Sequence, residues 1–389
     1  MAAKPTKLAA GPRRRSKFAL TESDTISSLD QLIAEEGLFD LAPGEIAELR
    51  LRFLSQAVHW HLHPETPYAA YARRRGFEAK ELATPAGLDR VPLLPSMLLK
   101  RPGISIVHPA AQDILWTTSS GTKGGISQIP RCDTTLRRFF AGIGNLTNEM
   151  LQLENSNIFV FNFGPDAEEA KNLWISYVMA GVTVLLPRSE NYVRGGVLKL
   201  EEAIRDLVQH EGERIAIIGP PPLLLELATT ALARSLPVKL GPDSFLVTIG
   251  GWKRRSGEQL PRKQFNETLG RAFGVDLIAV RDTFNMVELN TVLVECAEHK
   301  LHVPPWLYAR ARDCEALEVL PSGQSGVLSY LDPTPVSYPG FVLSDDLGIV
   351  HEDVACPCGR RGDILQIERR LNTMESRGCA LKMDGIRVG

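Results

Sequence analysis

Three stretches of this chain carry side chains able to do chemistry. The loop Thr117-Thr118-Ser119-Ser120-Gly121-Thr122-Lys123-Gly124-Gly125 is dense in hydroxyls and glycines around one ammonium. Glycine lets the backbone approach a ligand closely, and hydroxyls, N–H groups and a lysine suit phosphate oxygens. The composition is that of a phosphate cradle, without the Gly-x-x-x-x-Gly-Lys-Ser/Thr spacing of a Walker A loop; an ordinary Ser/Gly turn is the alternative. Near the other end, Cys379 lies in the run Glu375-Ser376-Arg377-Gly378-Cys379, with Lys382 following. Neighbouring cations favour a thiolate, the form that attacks an acyl group, although a lone near-terminal cysteine is more often an incidental thiol. The third stretch is a potential Cys3His set, Cys296, His302, Cys356 and Cys358, in which Cys356 and Cys358 share a tight Pro/Gly turn of the kind found in structural zinc sites. His299 is an alternative to His302.

These residues need a scaffold to position them. From about residue 110 onward, apolar β-rich runs alternate with helical stretches, the pattern of a mainly parallel sheet covered by helices. The expected strands are Ile114 to Trp116, Ile158 to Phe161, Val182 to Leu186, Ile215 to Ile218 and Phe245 to Ile249. Helical periodicity covers Ala167 to Ala180, Val197 to His210, Leu223 to Ala233 and Arg262 to Phe273. Ahead of residue 110 the chain reads as helical, in Ile26 to Glu35, Pro43 to His59 and Pro67 to Arg74, and ends in a Pro-rich segment, Val91 to Pro95. Beyond residue 320 short strands and turns are expected, punctuated by Gly323, Gly326, Pro333, Pro335, Pro339 and Gly340. The simplest partition is a disordered basic arm (1–20), a helical N-terminal part of the main domain (21–110), an α/β core (111–368) and a short C-terminal arm carrying Cys379 (369–389).

Composition excludes several classes. The chain has 389 residues, 44% of them hydrophobic, and a net charge of -2, which gives no reason to propose nucleic acid or an anionic membrane as partner. Lys4, Lys7, Arg13, Arg14, Arg15 and Lys17 precede the first acid, Glu22, in a segment with no apolar core, so it reads as a solvated tail and not a secretory signal. No run of about 18 apolar residues occurs, so no membrane span and a cytoplasmic location are expected. Six cysteines in such a chain read as thiols or metal ligands, not a disulfide framework. His59, His61 and His63 lack an acidic partner pattern and read as packed or surface residues, and no Gly-x-Ser-x-Gly elbow supports a hydrolase.

The loop Ser119-Ser120-Gly121-Thr122-Lys123-Gly124 resembles the phosphate loop of adenylate-forming enzymes, the superfamily of acyl-CoA synthetases, luciferases and nonribosomal-peptide adenylation domains. In the same order, Gly250-Gly251 falls where that family approaches the nucleotide, Phe284-Asn285-Met286-Val287-Glu288 is similar to the Tyr-Gly-x-Thr-Glu motif, and Asp345-Asp346-Leu347-Gly348 to the Thr-Gly-Asp segment. The resemblance implies an ATP/AMP site lined by Ser119, Ser120, Gly121, Thr122, Lys123, Gly124, Gly250, Gly251, Asp282, Phe284, Asp346 and Arg370. Phe284 would stack on adenine, Glu288 would ligate Mg2+ and Asp346 would grip the ribose hydroxyls, with Lys123, Glu288 and Cys379 as the catalytic set. An aromatic face, a carboxylate for a hard cation and a carboxylate for a diol meet those needs. Ile129-Pro130-Arg131, Gly250-Gly251-Trp252-Lys253, Cys356-Pro357-Cys358-Gly359-Arg360 and the terminal Arg377-Gly378-Cys379 together resemble the acyl-protein synthetases of bacterial luminescence operons (LuxE) and, more distantly, phenylacetate-CoA ligases, some of which hold zinc at similar Cys and His positions.

The resemblance implies an α/β fold, the large N-terminal domain of an adenylate-forming enzyme with mainly parallel sheets flanked by helices, followed by a strongly truncated C-terminal extension. It implies ATP and Mg2+ as cofactors, with zinc as a structural ion. The activity implied is that of an acyl-protein synthetase, which makes acyl-AMP from a carboxylic acid, by default a fatty acid, forms a thioester on Cys379 and passes the acyl group to a protein such as a reductase. Direct transfer to CoA, a carrier protein or an amine is the alternative, and a non-catalytic nucleotide-binding subunit is a further one. The chain departs from the superfamily at Ser127, where many members have lysine, and at Lys123, where threonine is usual. Because it stops soon after Arg370, it is expected to lack the domain that in the superfamily carries the adenylation lysine, with Lys382 or Lys253 left to substitute. By superfamily analogy the acyl chain would run between the helix around Trp174 to Ala180 and the nucleotide-side strands, with Gly164, Ala180 and Gly181 leaving room for it.

Overall fold

The computed structural model describes residues 28–371, apart from 102, 121–124, 154–156, 187, 237, 253–256 and 258. It opens with three helices whose first turns are capped by their own sequence. In α1 (Leu29–Ala34) the Ser28 hydroxyl accepts from the Gln31 N–H at 3.1 Å. In α2 (Pro43–His61) proline occupies the first turn and Glu45 accepts from the Ala42 N–H at 2.7 Å. In α3 (Pro67–Arg74) the Thr66 hydroxyl accepts from the Ala69 N–H at 3.0 Å. Each cap satisfies an N–H that the helix itself leaves without a partner.

Next come β1 (Leu94–Pro95), the hairpin β2 (Leu115–Thr118) and β3 (Gln128–Arg131), and helix α4 (Asp133–Leu151). A βα alternation follows: β4 (Phe159–Asn162), α5 (Ala167–Ala170), α6 (Trp174–Leu185), β5 (Ser189–Asn191), the small hairpin β6 (Val193–Arg194) and β7 (Val197–Leu198), α7 (Leu200–Gln209), β8 (Ile215–Gly219), α8 (Pro221–Ala233), β9 (Phe245–Thr248), α9 (Arg262–Phe273) and β10 (Val280–Phe284). The rest is β: β11 (Leu293–Val294), β12 (Leu301–His302), β13 (Tyr308–Arg312), β14 (Ser325–Asp332), β15 (Gly340–Ala355) and β16 (Arg361–Arg370).

Two six-stranded sheets result. One has the order β11-β10-β9-β8-β4-β5 and is parallel except for β11. Its strands alternate between two cores: Val160, Ala216, Ile218 and Val247 face one cluster, while Phe161, Ile215, Ile217 and Leu246 face the other, formed with α7, α8 and α9. Both faces are therefore covered, as parallel sheets require. The other sheet, β12-β16-β15-β14-β13 with β1 beside β15, is antiparallel except for the β1 pair.

The chain is α/β as expected, but four expectations need correction. Sheets of mainly parallel strands describe one of the two large sheets only, and the region beyond residue 320 holds long strands, β15 running 16 residues and β16 running 10. Val182 to Leu186, expected as a strand, is the end of α6; the helix continues through its β-branched residues and stops at Leu186, ahead of Pro187, whose ring disfavours helical backbone in the residue before it. The strand of that unit is instead β5, parallel to β4. Arg369 and Arg370, assigned to the C-terminal arm by sequence, lie in β16. His61 is packed, 1% exposed against Phe341 and the Pro335 carbonyl. Among the described residues no helix is long and apolar enough to cross a membrane.

Gly181 and Gly164 do not open a channel. A Cβ at Gly181 would collide with the Phe140 ring, and one at Gly164 would lie 2.7 Å from the Met179 Cβ, so protein side chains fill the room that the glycines leave. In a helix, Gly→Ala ordinarily stabilises by about 1 kcal/mol. Here the overpacking against Phe140 reverses the sign: Gly181→Ala should lower stability by about 1–3 kcal/mol, and the loss should shrink in a Phe140→Ala background. Denaturant melts of the two single variants and the double variant measure this; additive changes would place Phe140 away from the glycine.

Candidate functional site

The hairpin of β2 and β3 is pinched at its neck. The Ser119 N–H donates to the Ser127 carbonyl at 3.1 Å, and the Ser127 N–H donates to Ser119 Oγ at 3.0 Å. From this neck the buried Ser127 hydroxyl donates to Glu288 Oε1 at 2.5 Å. A few residues on, the wholly buried Arg131 donates to the Thr117 hydroxyl, to the Val287 carbonyl at 2.6 Å and to Asn290 Oδ1 at 3.3 Å, and lies 3.5 Å over the Trp174 ring. The hairpin is thereby fixed to the turn 285–292 that carries Glu288.

That turn follows β10 and is shaped by Asn285. Its side-chain amide donates to the Leu289 carbonyl at 3.2 Å and the Thr291 carbonyl at 2.9 Å, and its Oδ1 accepts from Trp174 Nε1 at 2.7 Å. Phe284, at the end of β10, is half-buried with its ring 6.0 Å from that of Tyr330.

Asp345 and Asp346 owe their position to a bulge. Ser329 pairs with Leu343 and Val327 with Leu347, so a single β14 residue, Leu328, faces three residues of β15, Ser344 to Asp346. Bulges of this kind re-aim side chains next to functional sites. Lys100 Nζ meets Asp345 Oδ2 at 2.8 Å, while Arg370, directly across from Asp346 in β16, stands 3.8 Å from Asp345 and 3.9 Å from Asp346. The Leu371 N–H donates to the Asp345 carbonyl at 2.7 Å. Lys100 also abuts the hairpin: Gly125 lies so close that a Cβ there would be 2.8 Å from the Lys100 carbonyl oxygen. Desolvation pushes the Asp346 carboxyl up to about 6, with repulsion from Asp345 and Glu288 adding to it and Arg370 and Lys100 opposing.

On β10, Asp282 accepts from the Thr248 hydroxyl at 2.5 Å and lies 3.5 Å from Arg262, which also pairs with Glu295 at 2.7 Å. Desolvation by its surroundings, with repulsion from Glu295, raises Asp282 to about 6. Beyond β9, Gly250 has φ +75°, a backbone region that a side chain resists. Gly251 faces open space.

The ligand atoms of Cys296, His302, Cys356 and Cys358 all lie within 4.8 Å of one another. Two tight turns bring them there. The Cys296 N–H bonds the Lys300 carbonyl and the His299 N–H bonds the Cys296 carbonyl, while the Cys356 N–H bonds the Arg360 carbonyl and the Gly359 N–H bonds the Cys356 carbonyl. Cys358 Sγ is 3.4 Å from His302 Nε2, and Cys296 and Cys356 sulfurs are 4.0 Å apart. His302 is buried with Nδ1 unpartnered, and the buried Arg281 leaves Nε and Nη1 unpartnered beside the thiol sulfurs. A hydrogen bond from Cys296 holds the Cys358 thiol far below its usual range, and giving that proton holds Cys296 far above. Three sulfurs and one imidazole at this spacing fit a tetrahedral zinc ion, and the buried Arg281 guanidinium interacts electrostatically with Cys296 and Cys358. His299 turns instead to Glu295, 3.4 Å away.

Of the residues expected at the site, the structure gathers Ser119, Glu288, Asp346 and Arg370 around the hairpin neck and the β15 bulge, and puts Asp282 and Phe284 on β10 with Gly250 and Gly251 after β9. Gly121, Thr122, Lys123, Gly124, Lys253, Cys379 and Lys382 lie outside the described residues. Sequence reading missed Lys100 and Asp345 as a pair 245 residues apart, and Ser127 as the partner of Glu288. The departure at Ser127 from the usual lysine was the available signal for the second; for Lys100 there was none.

A profile of the family described as "Acyl-protein synthetase, LuxE" matches residues 18–386. The long-chain-fatty-acid–luciferin-component ligase of Aliivibrio fischeri is 33% identical over 364 residues, covering 92% of this chain and 94% of that protein. The ligase of the same description from Vibrio harveyi is 33% identical over 343 residues, covering 87% and 88%. Among solved structures, 2-hydroxyisobutyryl-CoA ligase in complex with 2-HIB-AMP and CoA has a TM-score of 0.69 at 18% identity, over 86% of this chain and 70% of that one. At that identity the likeness is one of fold alone.

The Asp346 carboxyl makes a prediction about stability. Its folded pKa of about 6 stands above the ordinary 3.8, so the stabilisation present while it is neutral is lost as pH rises through 6. Asp346→Asn should therefore be more stable than the parent at pH 8, by about 1–3 kcal/mol, and close to it at pH 4. Thermal melts at the two pH values measure this, and an identical difference at both would mean that Asp346 ionises without a folding penalty.

Proposed function

Since the chain belongs to the LuxE family of acyl-protein synthetases, we propose that it is a cytoplasmic ATP-dependent acid–thiol ligase that activates a long-chain fatty acid as acyl-AMP, holds the acyl group on Cys379 and delivers it to a protein partner such as a reductase. The fatty acid as substrate follows from the relatives' description. The observation that carries the reading is the anchoring of Arg370 and Leu371 to Asp346 and Asp345, because the chain that leads to Cys379 sets out from there. Eight residues span at most about 29 Å when extended, enough to bring a thiol back to a nucleotide held at these carboxylates.

In this reading Phe284 offers its face to adenine, Asp346 accepts hydrogen bonds from the ribose hydroxyls, and the hairpin holds the phosphates. Glu288 would hold Mg2+, which when bound would offset charge on the departing pyrophosphate. A carboxylate oxygen attacks the α-phosphorus, the bond to pyrophosphate breaks and acyl-AMP forms. The Cys379 thiolate then attacks the acyl carbonyl and expels AMP, giving a thioester on the protein. Attack by an acceptor thiol returns Cys379 to its free form. Arg377 and Lys382 favour the thiolate by charge.

Intact-protein mass spectrometry after incubation with ATP, Mg2+ and a panel of fatty and aryl acids tests this. The expected outcome is a hydroxylamine-labile acyl increment on the parent protein and none on Cys379→Ala, with acid-dependent pyrophosphate release from both. Pyrophosphate release without an increment would move the acyl group to an external acceptor such as CoA, and the absence of both would leave only nucleotide binding.

Cys296, His302, Cys356 and Cys358 are read as ligands of a structural zinc ion. Elemental analysis should find about one zinc per chain, lost in Cys358→Ser, and removal by a chelator should lower the melting temperature. A metal-free protein with unchanged melting would refute the site.

A further inference from the structure

We propose that Ser127 is a positioning residue for Glu288 and sets how strongly the protein depends on a divalent cation to bind ATP. The inference rests on the reading of Glu288 as the Mg2+ ligand given above. Ser127 has no exposed surface and Glu288 is 3% exposed, so neither group can exchange its partner for water. The 2.5 Å contact between Ser127 Oγ and Glu288 Oε1 has one donor, the hydroxyl, and it is of the short charge-assisted kind. A bond to one oxygen fixes the rotation of a carboxylate and so the direction of its other oxygen. Ser127 is itself held at both backbone groups by Ser119, and Arg131 holds the Val287 carbonyl one residue before Glu288. The phosphate-loop neck and the carboxylate thus move as one piece, with Arg131 fixing the backbone of the turn and Ser127 the carboxylate itself.

The residue type decides the electrostatics. A lysine at this position would bring an ammonium toward Glu288 and offset its charge. A hydroxyl orients the carboxylate and leaves its full negative charge for a cation. The metal must then offset both the phosphates and an un-neutralised carboxylate.

Calorimetric titration of the full-length protein with ATP, in Mg2+ and in EDTA, tests the proposal on the parent, Ser127→Ala, Ser127→Thr, Ser127→Lys and Glu288→Gln. The parent should bind ATP more tightly with Mg2+ than in EDTA. Ser127→Ala should lose about tenfold of that enhancement, with its EDTA affinity retained; threonine should restore it, and lysine should shrink it while raising affinity in EDTA. Glu288→Gln losing the enhancement while Ser127→Ala keeps it would overturn this proposal alone. Glu288→Gln keeping it would overturn the Mg2+ reading as well. Ser127→Ala weakening both titrations equally, with a lower melting temperature, would reduce Ser127 to a packing residue.

Discussion

Arg131 carries a guanidinium into a place without solvent, and the arrangement of the site follows from how that charge is satisfied. Desolvation draws its pKa down, while Tyr338, Glu288 and Asp332 counter it from a distance. A buried charge is costly unless its donors are bonded and its faces packed. The groups that do this come from three separate pieces: Thr117 from the hairpin, Val287 and Asn290 from the turn after β10, and Trp174 from α6. None of the three can slide without stranding the charge, so the hairpin, the carboxylate turn and the first turn of α6 are held in one register.

The parts of the fold that local sequence dictates were legible. Helices such as Pro67–Arg74 and Arg262–Phe273 have the expected bounds, since proline, periodicity and a following Gly274 at φ +64° mark their ends. Val182 to Leu186 misled because a run of β-branched and apolar residues reads equally as a buried strand or a buried helix end, and tertiary packing decides. The long strands were hidden differently. β15 carries Ser344, Asp345, Asp346 and His351 along its length, and the bulge shifts its alternation, so no clean period of two survives.

At the site, the residues with a motif around them were readable and their partners were not. Glu288 and Asp346 stand in recognisable segments, whereas Ser127 is 161 residues from Glu288 and Lys100 is 245 from Asp345, pairings set by the fold alone. The cysteine set lies between these cases. Cys and His are scarce enough for clustering to be suspected from spacing, but Arg281, a buried guanidinium that interacts with the charge of Cys296 and Cys358, has nothing in its sequence context to suggest it. The cluster also joins the two sheets, since Cys296 follows β11 while His302 and the Cys356–Cys358 turn belong with β12, β15 and β16.

The bulge in β15 has a consequence for how such a site can diversify. Asp345 and Asp346 sit where the ladder to β14 is interrupted, yet pairing resumes on either side and β16 continues alongside. Their backbone is placed from the β16 side, where Asp346 pairs with Arg370 and the Asp345 carbonyl accepts from the Leu371 N–H, and their side chains contribute little to the ladder with β14. Substitution at these two positions changes charge and hydrogen-bonding capacity without asking the sheet to refold. The chemistry of the site and the architecture that carries it are thereby separable in heredity, so drift or selection can re-specify the ligand while the frame stays constant.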